Sequence, residues 1–563
     1  MTLKESLEHS AQKHPDKILM RYKRGGKWIE MTFAQFQEQV RIAAEALYRA
    51  CHVRTSDRVM LMAANSPEWG VIHYAITGIA GTVVHADPHL KEQEVTHILN
   101  DSGATVAIID LASYSLMREI EDRCPALRHV ILLNPLGRDL PPAQSPRVRY
   151  HEYESLMRAH ANAGRARDAA YSRIHPKDDD IAVFLYTSGT TGRQKGAMLS
   201  HANFLGNFRS LDAAIDILPD DNFLVILPFF HAFAFTTCLV TPIAAGVEVS
   251  LVESLRTIAE NMRETHPTIL LGVPLLLEKM RDKAYASIRS SKMGSLLWRL
   301  GVRTPIRRKV ADSLGGRIRL IVSGGAPIDP QVLEDFAAIG LHPREGYGLT
   351  ECAPVLCLSP YTEPPRRGSC GKVLPFVEMT VIDPNEEGVG MLAAKGANVM
   401  KGYYNNPSAT SEVFRDGWFL TGDLGYIDAD NYVYITGRAK SLIVNREGKN
   451  IYPEEVENQI NRSPFIRECV VLGYHEKSEN VGEHVGVIVC PDEEAVAARE
   501  KAENKKYAEA DIVALLRSEV KAQAENLAPY KRPRRIQVRW EEFNKTSTGK
   551  IKRYLYQMDA SEV

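Results

Sequence analysis

The chain has 563 residues, which is too long for one compact core, so we expect more than one domain. Lys and Arg number 69 and Asp and Glu 70, so the charge balance does not favour nucleic acid as a partner. The eight cysteines form no CxxC pair, and reduced thiols in a cytoplasmic protein are the simplest interpretation.

The N-terminal residues 1–8 carry charge and no apolar segment, so the sequence predicts no signal peptide. No stretch approaches the ~20 uninterrupted apolar residues that a membrane-crossing helix needs. Peripheral attachment to the inner face of a membrane stays open, and so does the choice between a monomer and a homodimer.

Apolar runs rich in β-branched residues alternate with amphipathic stretches through about the first four hundred residues. Residues 59–63 are predicted to form a strand, 67–79 a helix and 82–85 a second strand, and 106–109 repeats the strand pattern. This alternation is typical of α/β architecture with buried strands.

A strand over 319–322 is followed by a helix with both ends marked in the sequence. Asp329 is the expected N-cap, Pro330 occupies the first helical position, and Gly340 follows the last apolar residue.

The texture changes after about residue 440. Two strands, 468–472 and 484–489, flank a polar loop; a charged helix over 499–526 and a strand over 536–540 follow. The predicted fold is therefore α/β, with a large N-terminal domain of α/β subdomains at 1–438 and a small, mobile α+β domain at 439–563.

The strongest motif runs from Tyr186 to Gly196, directly after the apolar strand 181–185. Its three glycines allow tight turns in which backbone N–H groups face an anion, its Ser and Thr hydroxyls add donors, and Lys195 adds positive charge. These features predict a cradle for a polyphosphate. It is not a Walker A loop, because Gln194 stands where a glycine is needed. The alternative is an exposed Gly/Thr linker, which rarely follows a buried strand so directly.

Three weaker motifs follow. In 345–351, glycines flank Tyr347, whose ring is then free to stack on a flat ligand, and Glu351 is a candidate ligand for Mg²⁺. Residues 421–425 form an acidic turn suited to sugar hydroxyls, although most such turns only reverse the chain. Residues 545–550 place Lys550 after a glycine, where a lysine on a mobile loop could neutralise phosphate charge. For this motif alone, a solvated basic tail is the plainer interpretation.

The order of these motifs resembles that of the adenylate-forming superfamily, which includes acyl-CoA synthetases, luciferases and the adenylation domains of peptide synthetases. The resemblance runs from about Thr32 to Arg553 and includes Pro228-Phe229-Phe230-His231 and Gly437-Arg438-Ala439-Lys440. Six motifs in the family's order make coincidence very improbable.

The resemblance implies an ATP site and a magnesium site. The implied nucleotide-binding residues are Thr187, Ser188, Gly189, Thr190, Thr191, Gly192 and Lys195 at the β- and γ-phosphates, Gly325, Ala326, Pro327, Glu345, Gly346, Tyr347 and Gly348 at the adenine, and Asp423 and Arg438 at the ribose. Thr350 is implied at the α-phosphate, and Thr187 and Glu351 at the metal.

The resemblance also implies how two reaction steps are separated. Lys550 would stabilise charge while the acid is adenylated, and His231 would lie at the carboxylate end of the acyl pocket, gated by Phe233 and Phe235. A packed core histidine is the alternative for His231. The small domain would then turn about a hinge near Lys440 and present Gly448, past which coenzyme A reaches the acyl group.

Three enzymes and one non-enzyme remain as interpretations. Residues 441–457, 227–235 and 270–274 resemble the long-chain fatty acid–CoA ligase branch, so we predict an AMP-forming acid–thiol ligase for a medium- or long-chain fatty acid. An aryl-acid CoA ligase and an acyl-AMP ligase that loads a separate carrier protein are the alternatives. A nucleotide-binding protein without catalysis predicts decay at Lys550 or Glu351, and both are present.

Overall fold

A computed structural model of the chain describes residues 1–133, 145–188, 194–447, 449–475, 482–545 and 551–558. The chain divides into two compact units, one of Met1–Met379, Ala394–Phe419 and Ala429–Val433, the other of Thr380–Ala393, Leu420–Asp428 and Tyr434–Val563. The predicted class, a mixed α/β protein with a large N-terminal and a smaller C-terminal domain, is confirmed. The predicted boundary and hinge near Lys440 stay predictions. No helix among the described residues is long and apolar enough to cross a membrane.

Two large sheets form the framework of the first unit. The seven-stranded sheet has the order Arg149–Glu152, His129–Leu133, Val106–Asp110, Arg58–Met62, Thr82–His85, Ile181–Ser188, Gln194–Ser200. All its neighbours pair in parallel except the last two strands, which form an antiparallel hairpin. The strands Arg58–Met62, Thr82–His85 and His129–Leu133 are buried on both faces, as the runs of apolar residues predict.

The nine-stranded sheet has the order Lys372–Val373, Val355–Leu358, Arg344–Gly348, Leu320–Ser323, Ile269–Gly272, Asn222–Val225, Glu248–Leu251, Ile18–Arg24, Lys27–Thr32. Leu320–Ser323 and Arg344–Gly348 pair in parallel. The turns that follow these two strands therefore leave the sheet at the same edge, where ligands bind in open α/β sheets.

Helices cover these sheets. Those of the first unit are Leu3–Lys13, Phe33–Ala50, Pro67–Gly78, Glu92–Ser102, Tyr114–Ile120, Tyr153–Arg165, Ala170–Arg173, His201–Ile215, Ala232–Phe235, Thr241–Ala245, Ile258–Thr265, Pro274–Ser290, Lys292–Arg299, Thr304–Ser313, Pro330–Ala338 and Pro407–Val413. Asp329 caps Pro330–Ala338 by accepting a hydrogen bond from the Gln331 N–H, as predicted.

Residues 377–438 contain a smaller sheet, in the order Val377–Ile382, Gly390–Gly396, Trp418–Ile427, Phe414–Arg415, with Val433–Arg438 beside Trp418–Ile427. Beyond it lie the pair Ile443–Val444 and Asn450–Ile451, the sheet of Ile466–Tyr474, His484–Pro491 and Arg535–Val538, and the helices Pro453–Ile460, Glu493–Glu503 and Glu509–Ala524.

The single helix predicted over 499–526 is wrong. The chain forms two helices here, because the first ends at Asn504, which adopts the left-handed conformation with φ of 50°. Asparagine tolerates that conformation better than most residues, so the break has a local cause.

Candidate active site

The motif from Tyr186 to Gly196 includes the end of the strand Ile181–Ser188 and the start of the strand Gln194–Ser200, which pair as a hairpin. Thr187 pairs directly with Lys195, so both side chains lie on one face of the hairpin. The predicted residues Gly189, Thr190, Thr191 and Gly192 lie outside the described residues. The sequence predicted tight turns here; the flanks of the motif are strands, and their pairing fixes the positions of Thr187 and Lys195.

Tyr403 links Lys195 to Glu351. The segment before Tyr404 runs along Gln194–Ser200, where the Met198 N–H donates to the Gly402 carbonyl at 2.9 Å. The Lys195 ammonium lies over the Tyr403 ring, 5.3 Å from its centroid, and the Tyr403 hydroxyl donates to Glu351 Oε1 at 2.9 Å. One aromatic side chain therefore holds a cation on its face and a carboxylate at its tip.

The sequence motifs did not identify Tyr403. It lies in the stretch Lys401-Gly402-Tyr403-Tyr404-Asn405, which belongs to none of those motifs. Burial, and the Glu351 carboxylate to which the hydroxyl donates, raise the pKa of Tyr403 far above its ordinary value, so it stays a donor at all physiological pH values.

Glu351 lies in the 3₁₀ turn Thr350–Cys352, directly after the strand Arg344–Gly348. Its carbonyl accepts the Met400 N–H at 2.8 Å, and Asn398 Nδ2 donates to the Cys352 carbonyl at 2.9 Å. These bonds fix the backbone of the turn, and the hydrogen bond from Tyr403 fixes the carboxylate.

Glycine at position 348 has a backbone reason. A Cβ there would lie 2.0 Å from the Pro354 carbonyl oxygen, closer than any real contact. The sequence explanation was freedom for the Tyr347 ring. The structure gives a different cause at Gly348, the close approach of Pro354, and at Gly346 an added Cβ would meet only ordinary contacts.

Glu345 lies in the same strand, and its carboxylate accepts the backbone N–H of Ile328. That bond ties it to the turn Gly325-Ala326-Pro327, which follows the neighbouring parallel strand. Burial raises the pKa of Glu345 to about 7, and the Ile328 N–H works against that rise. The two stretches predicted at the adenine are therefore brought together.

His231 precedes the short helix Ala232–Phe235. The backbone N–H of His231 donates to the Pro228 carbonyl at 3.1 Å. The ring Nε2 is buried with no hydrogen-bond partner among the described residues. Burial lowers the pKa of His231, whereas the Asp87 carboxylate acts in the opposite direction. A neutral ring with an orphaned nitrogen is available to a polar ligand atom.

Phe233 and Phe235 differ. A Cβ at Gly324 would lie 3.0 Å from Phe233 Cζ, so the half-buried Phe233 ring borders the turn that leads to the Gly325 stretch. Phe235 is fully buried, 4.3 Å from the His73 ring and 5.0 Å from that of His85 between centroids. Phe235 is buried in the core, and its role as a gate stays a prediction.

In the second unit, Asp423 and Arg438 form an ion pair with a distance of 3.0 Å between Oδ1 and Nε. The Asp423 side chain is only 5 % exposed, and its N–H donates to Thr421 Oγ1 at 3.1 Å. The two residues predicted at the ribose are thus adjacent. Lys440 lies exposed in the turn Ala439–Ser441; Gly448 and Lys550 lie outside the described residues, and so does the side chain of Ser188.

The Glu351 carboxylate and the Thr187 hydroxyl offer the hard oxygen atoms that magnesium prefers. Oε1 of Glu351 is already oriented by Tyr403. These residues fit the ion predicted for them.

Comparisons with known proteins agree with one another. The family model described as AMP-binding enzyme matches residues 7–404, and that of the AMP-binding enzyme C-terminal domain matches 455–550. The long-chain-fatty-acid–CoA ligase FadD15 of Mycobacterium bovis is 29% identical over 526 residues, covering 88% of this chain and 83% of that protein. A feruloyl-CoA synthase of Amycolatopsis sp is 30% identical over 451 residues, covering 79% and 80%.

Among solved structures, the anthranilate CoA ligase AuaEII in complex with anthranoyl-AMP has a similar fold, with a TM-score of 0.77 and 22% identity, covering 99% of this chain and 96% of that one. The similar proteins thus include ligases named for fatty acids and for aromatic acids.

Proposed function

The chain belongs to the AMP-binding enzyme family as an acyl-CoA synthetase, an AMP-forming acid–thiol ligase, and from this premise we propose that its acid is a medium- or long-chain fatty acid. The reaction has two halves. A carboxylate oxygen first bonds to the α-phosphorus of ATP as pyrophosphate leaves. The sulfur of coenzyme A then bonds to the acyl carbon, its proton passes to solvent, and AMP leaves.

The Lys195–Tyr403–Glu351 arrangement supports the first half-reaction. Lys195 supplies positive charge for the β- and γ-phosphates. Its place in a strand fixes the position of that charge. Glu351 and Thr187 would hold magnesium, which would neutralise further phosphate charge. We assign Thr350 to the α-phosphate.

The remaining nucleotide contacts follow the same logic. Glu345 accepts a hydrogen bond from the adenine amino group, in a position fixed by Ile328, and the Tyr347 ring covers the base. The Asp423–Arg438 pair binds the ribose hydroxyls, because a buried, oriented carboxylate accepts from hydroxyl groups.

Lys550 and Gly448 divide the two halves between them. Lys550 stabilises the negative charge that develops as the carboxylate attacks. Gly448 leaves room for the thiol arm of coenzyme A because it has no side chain. A hinge at Lys440 that exchanges the two is part of this proposal.

The observation that best supports the fatty-acid assignment is the apolar segment of the protein around His231. Residues 222–247 contain no Asp, Glu, Lys or Arg, so the segment offers no cation for a second carboxylate. Phe233 and Val273 both border the Gly324–Gly325 turn, so apolar side chains adjoin the expected adenine site. Each methylene buried against such groups contributes about 0.8 kcal/mol, which favours longer alkyl acids.

An acid panel tests the assignment. Specificity constants for alkyl acids of rising chain length, at fixed ATP and coenzyme A, should climb and then level or fall where the pocket ends. Benzoate- and cinnamate-like acids form the comparison set. A maximum on those acids, with little response to alkyl length, would establish the aryl-acid alternative, and transfer only to an added carrier protein would establish the third.

We also propose that the enzyme works in the cytoplasm, where its eight buried, free cysteines stay reduced, and contacts a membrane surface. Residues 274–314 hold ten Lys and Arg against three Asp and Glu. Within them Met293, Leu296 and Leu300 are 64, 52 and 67% exposed, and the helix Lys292–Arg299 has no buried residue. Exposed apolar groups among cations suit anionic lipid.

Co-sedimentation with vesicles tests this contact. Binding to vesicles that contain phosphatidylglycerol should exceed binding to neutral phosphatidylcholine, and a Leu296→Glu/Leu300→Glu variant should lose the difference. Leu255→Glu, at a residue 73% exposed elsewhere in the unit, is the matched control. Equal binding by both variants would remove the helix from the proposal.

A further inference from the structure

Three metal-ligating side chains converge away from every residue assigned above. Cys51 follows the helix Phe33–Ala50, His129 begins the strand His129–Leu133, and His151 lies in Arg149–Glu152. Their ligand atoms all lie within 4.8 Å of one another. Nδ1 of His129 is 3.0 Å from Nε2 of His151, and the two rings stack with centroids 5.2 Å apart.

The register of the sheet explains why the histidines meet. His129 pairs with Arg149, and Ile131 pairs with His151, on neighbouring parallel strands. His129 and His151 are therefore diagonal neighbours on one face of the sheet, within reach of each other. The end of Phe33–Ala50 brings the Cys51 sulfur over that face.

The cluster offers comparatively soft donors. Cys51 and His129 are buried and His151 is half-buried, and they present one sulfur and two imidazole nitrogens. The guanidinium groups of Arg128 and Arg149 near His129 are exposed. Among the described residues no carboxylate belongs to the cluster, so a hard cation such as Mg²⁺ or Ca²⁺ finds no oxygen ligand there.

We propose that Cys51, His129 and His151 bind a divalent transition metal ion of the zinc class. Thiolate and imidazole ligands select such ions. A tetrahedral ion at ordinary bond lengths separates two imidazole nitrogens by about 3.3 Å and a sulfur from a nitrogen by about 3.6 Å. The two imidazole nitrogens are 3.0 Å apart, and all three ligand atoms lie within 4.8 Å of one another, which is close to those separations.

Binding replaces one contact and releases one proton. The Cys51 thiol gives its proton to solvent as the metal–sulfur bond forms. Each imidazole donates the lone pair of one nitrogen, so the hydrogen bond between Nδ1 and Nε2 is lost. Three protein ligands leave the fourth position to water. The ion would tie the end of a helix to two strands, which is a structural role independent of the ligase reaction.

Cobalt(II) is the probe, because its bond to thiolate gives a charge-transfer band in the near ultraviolet and tetrahedral Co²⁺ absorbs strongly in the visible. The full chain, reduced and stripped with a chelator, should gain both signals up to one equivalent of Co²⁺. One equivalent of Zn²⁺ should abolish them and raise the melting temperature of the protein.

Cys51→Ala should lose the charge-transfer band, and His151→Gln, at a half-buried position, should lose the tetrahedral visible spectrum. Cys124→Ala removes a second buried thiol of the same unit outside the cluster and should change neither signal. Circular dichroism confirms that each variant folds. Absence of the band in the unmodified chain, or an equal band in Cys51→Ala, would overturn the proposal.

Discussion

Replacing Glu345 with glutamine tests whether this carboxyl group, at the expected adenine site, is buried where its ionisation is unfavourable. Burial raises the pKa of Glu345 from its ordinary 4.5 to about 7 in the folded chain. Between those two pH values the folded state binds a proton that the unfolded state has lost. The free energy of unfolding therefore falls as the pH rises from 4.5 through 7.

The size of the effect follows from the same shift. The rise of the pKa from 4.5 to about 7 corresponds to about 3 kcal/mol of lost stability above pH 7. Glutamine does not titrate in this range, and its carbonyl oxygen can still accept the Ile328 N–H. The Glu345→Gln variant should therefore match the parent chain near pH 4.5 and exceed it in stability above pH 7.

Thermal unfolding of both chains from pH 5 to pH 9 measures this difference. The melting temperature of the variant should rise relative to that of the parent as the pH increases, most steeply between pH 5 and 7. Glu363→Gln is the control, because Glu363 is exposed and hydrogen bonds from Tyr432 and Lys372 lower its pKa, the opposite sign. A constant difference between Glu345→Gln and the parent across the range would refute the reasoning.

Four further substitutions test the roles assigned to Lys550, Gly448, Glu351 and Tyr403. Lys550→Ala should slow adenylation by about 10²–10³-fold and largely spare thioester formation from synthetic acyl-AMP; equal losses in both would contradict separate roles. Gly448→Leu should do the reverse, with acyl-AMP accumulating, and normal turnover would exclude a thiol passage there. Glu351→Gln should raise the magnesium concentration needed for pyrophosphate release, because an amide binds a hard cation less well than a carboxylate. Tyr403→Phe should raise that concentration by a smaller factor. An unchanged magnesium titration in Glu351→Gln would place the metal elsewhere.

Local signals were sufficient where the chain's own residues set the structure. The strand Thr82–His85 has the predicted bounds, and Asp329, Pro330 and Gly340 mark the helix between them correctly. Capping and backbone preferences act over a few residues, so they can be identified without knowledge of the fold.

The site was predictable only as a set of motifs. The contact of Glu345 with Ile328 depends on the parallel pairing of two strands. Lys195 and Glu351 are connected only through Tyr403 among the described contacts, and Tyr403 is about two hundred residues from Lys195 in sequence. Contacts of this kind are fixed by tertiary packing. The burial of Phe235 was not predictable for the same reason, since an aromatic residue in a gate-like motif and one in the core have the same local pattern.

The proposed reaction requires that an acyl-adenylate forms before the thioester. A rapid-quench reaction with enzyme in excess over a C16 fatty acid, analysed by mass spectrometry, tests it. With magnesium and ATP but no coenzyme A, acyl-AMP and pyrophosphate should form in equal amounts, and added coenzyme A should convert the acyl-AMP to acyl-CoA and AMP. Formation of ADP and phosphate, or of acyl-CoA with no acyl-AMP at any time point, would contradict the account.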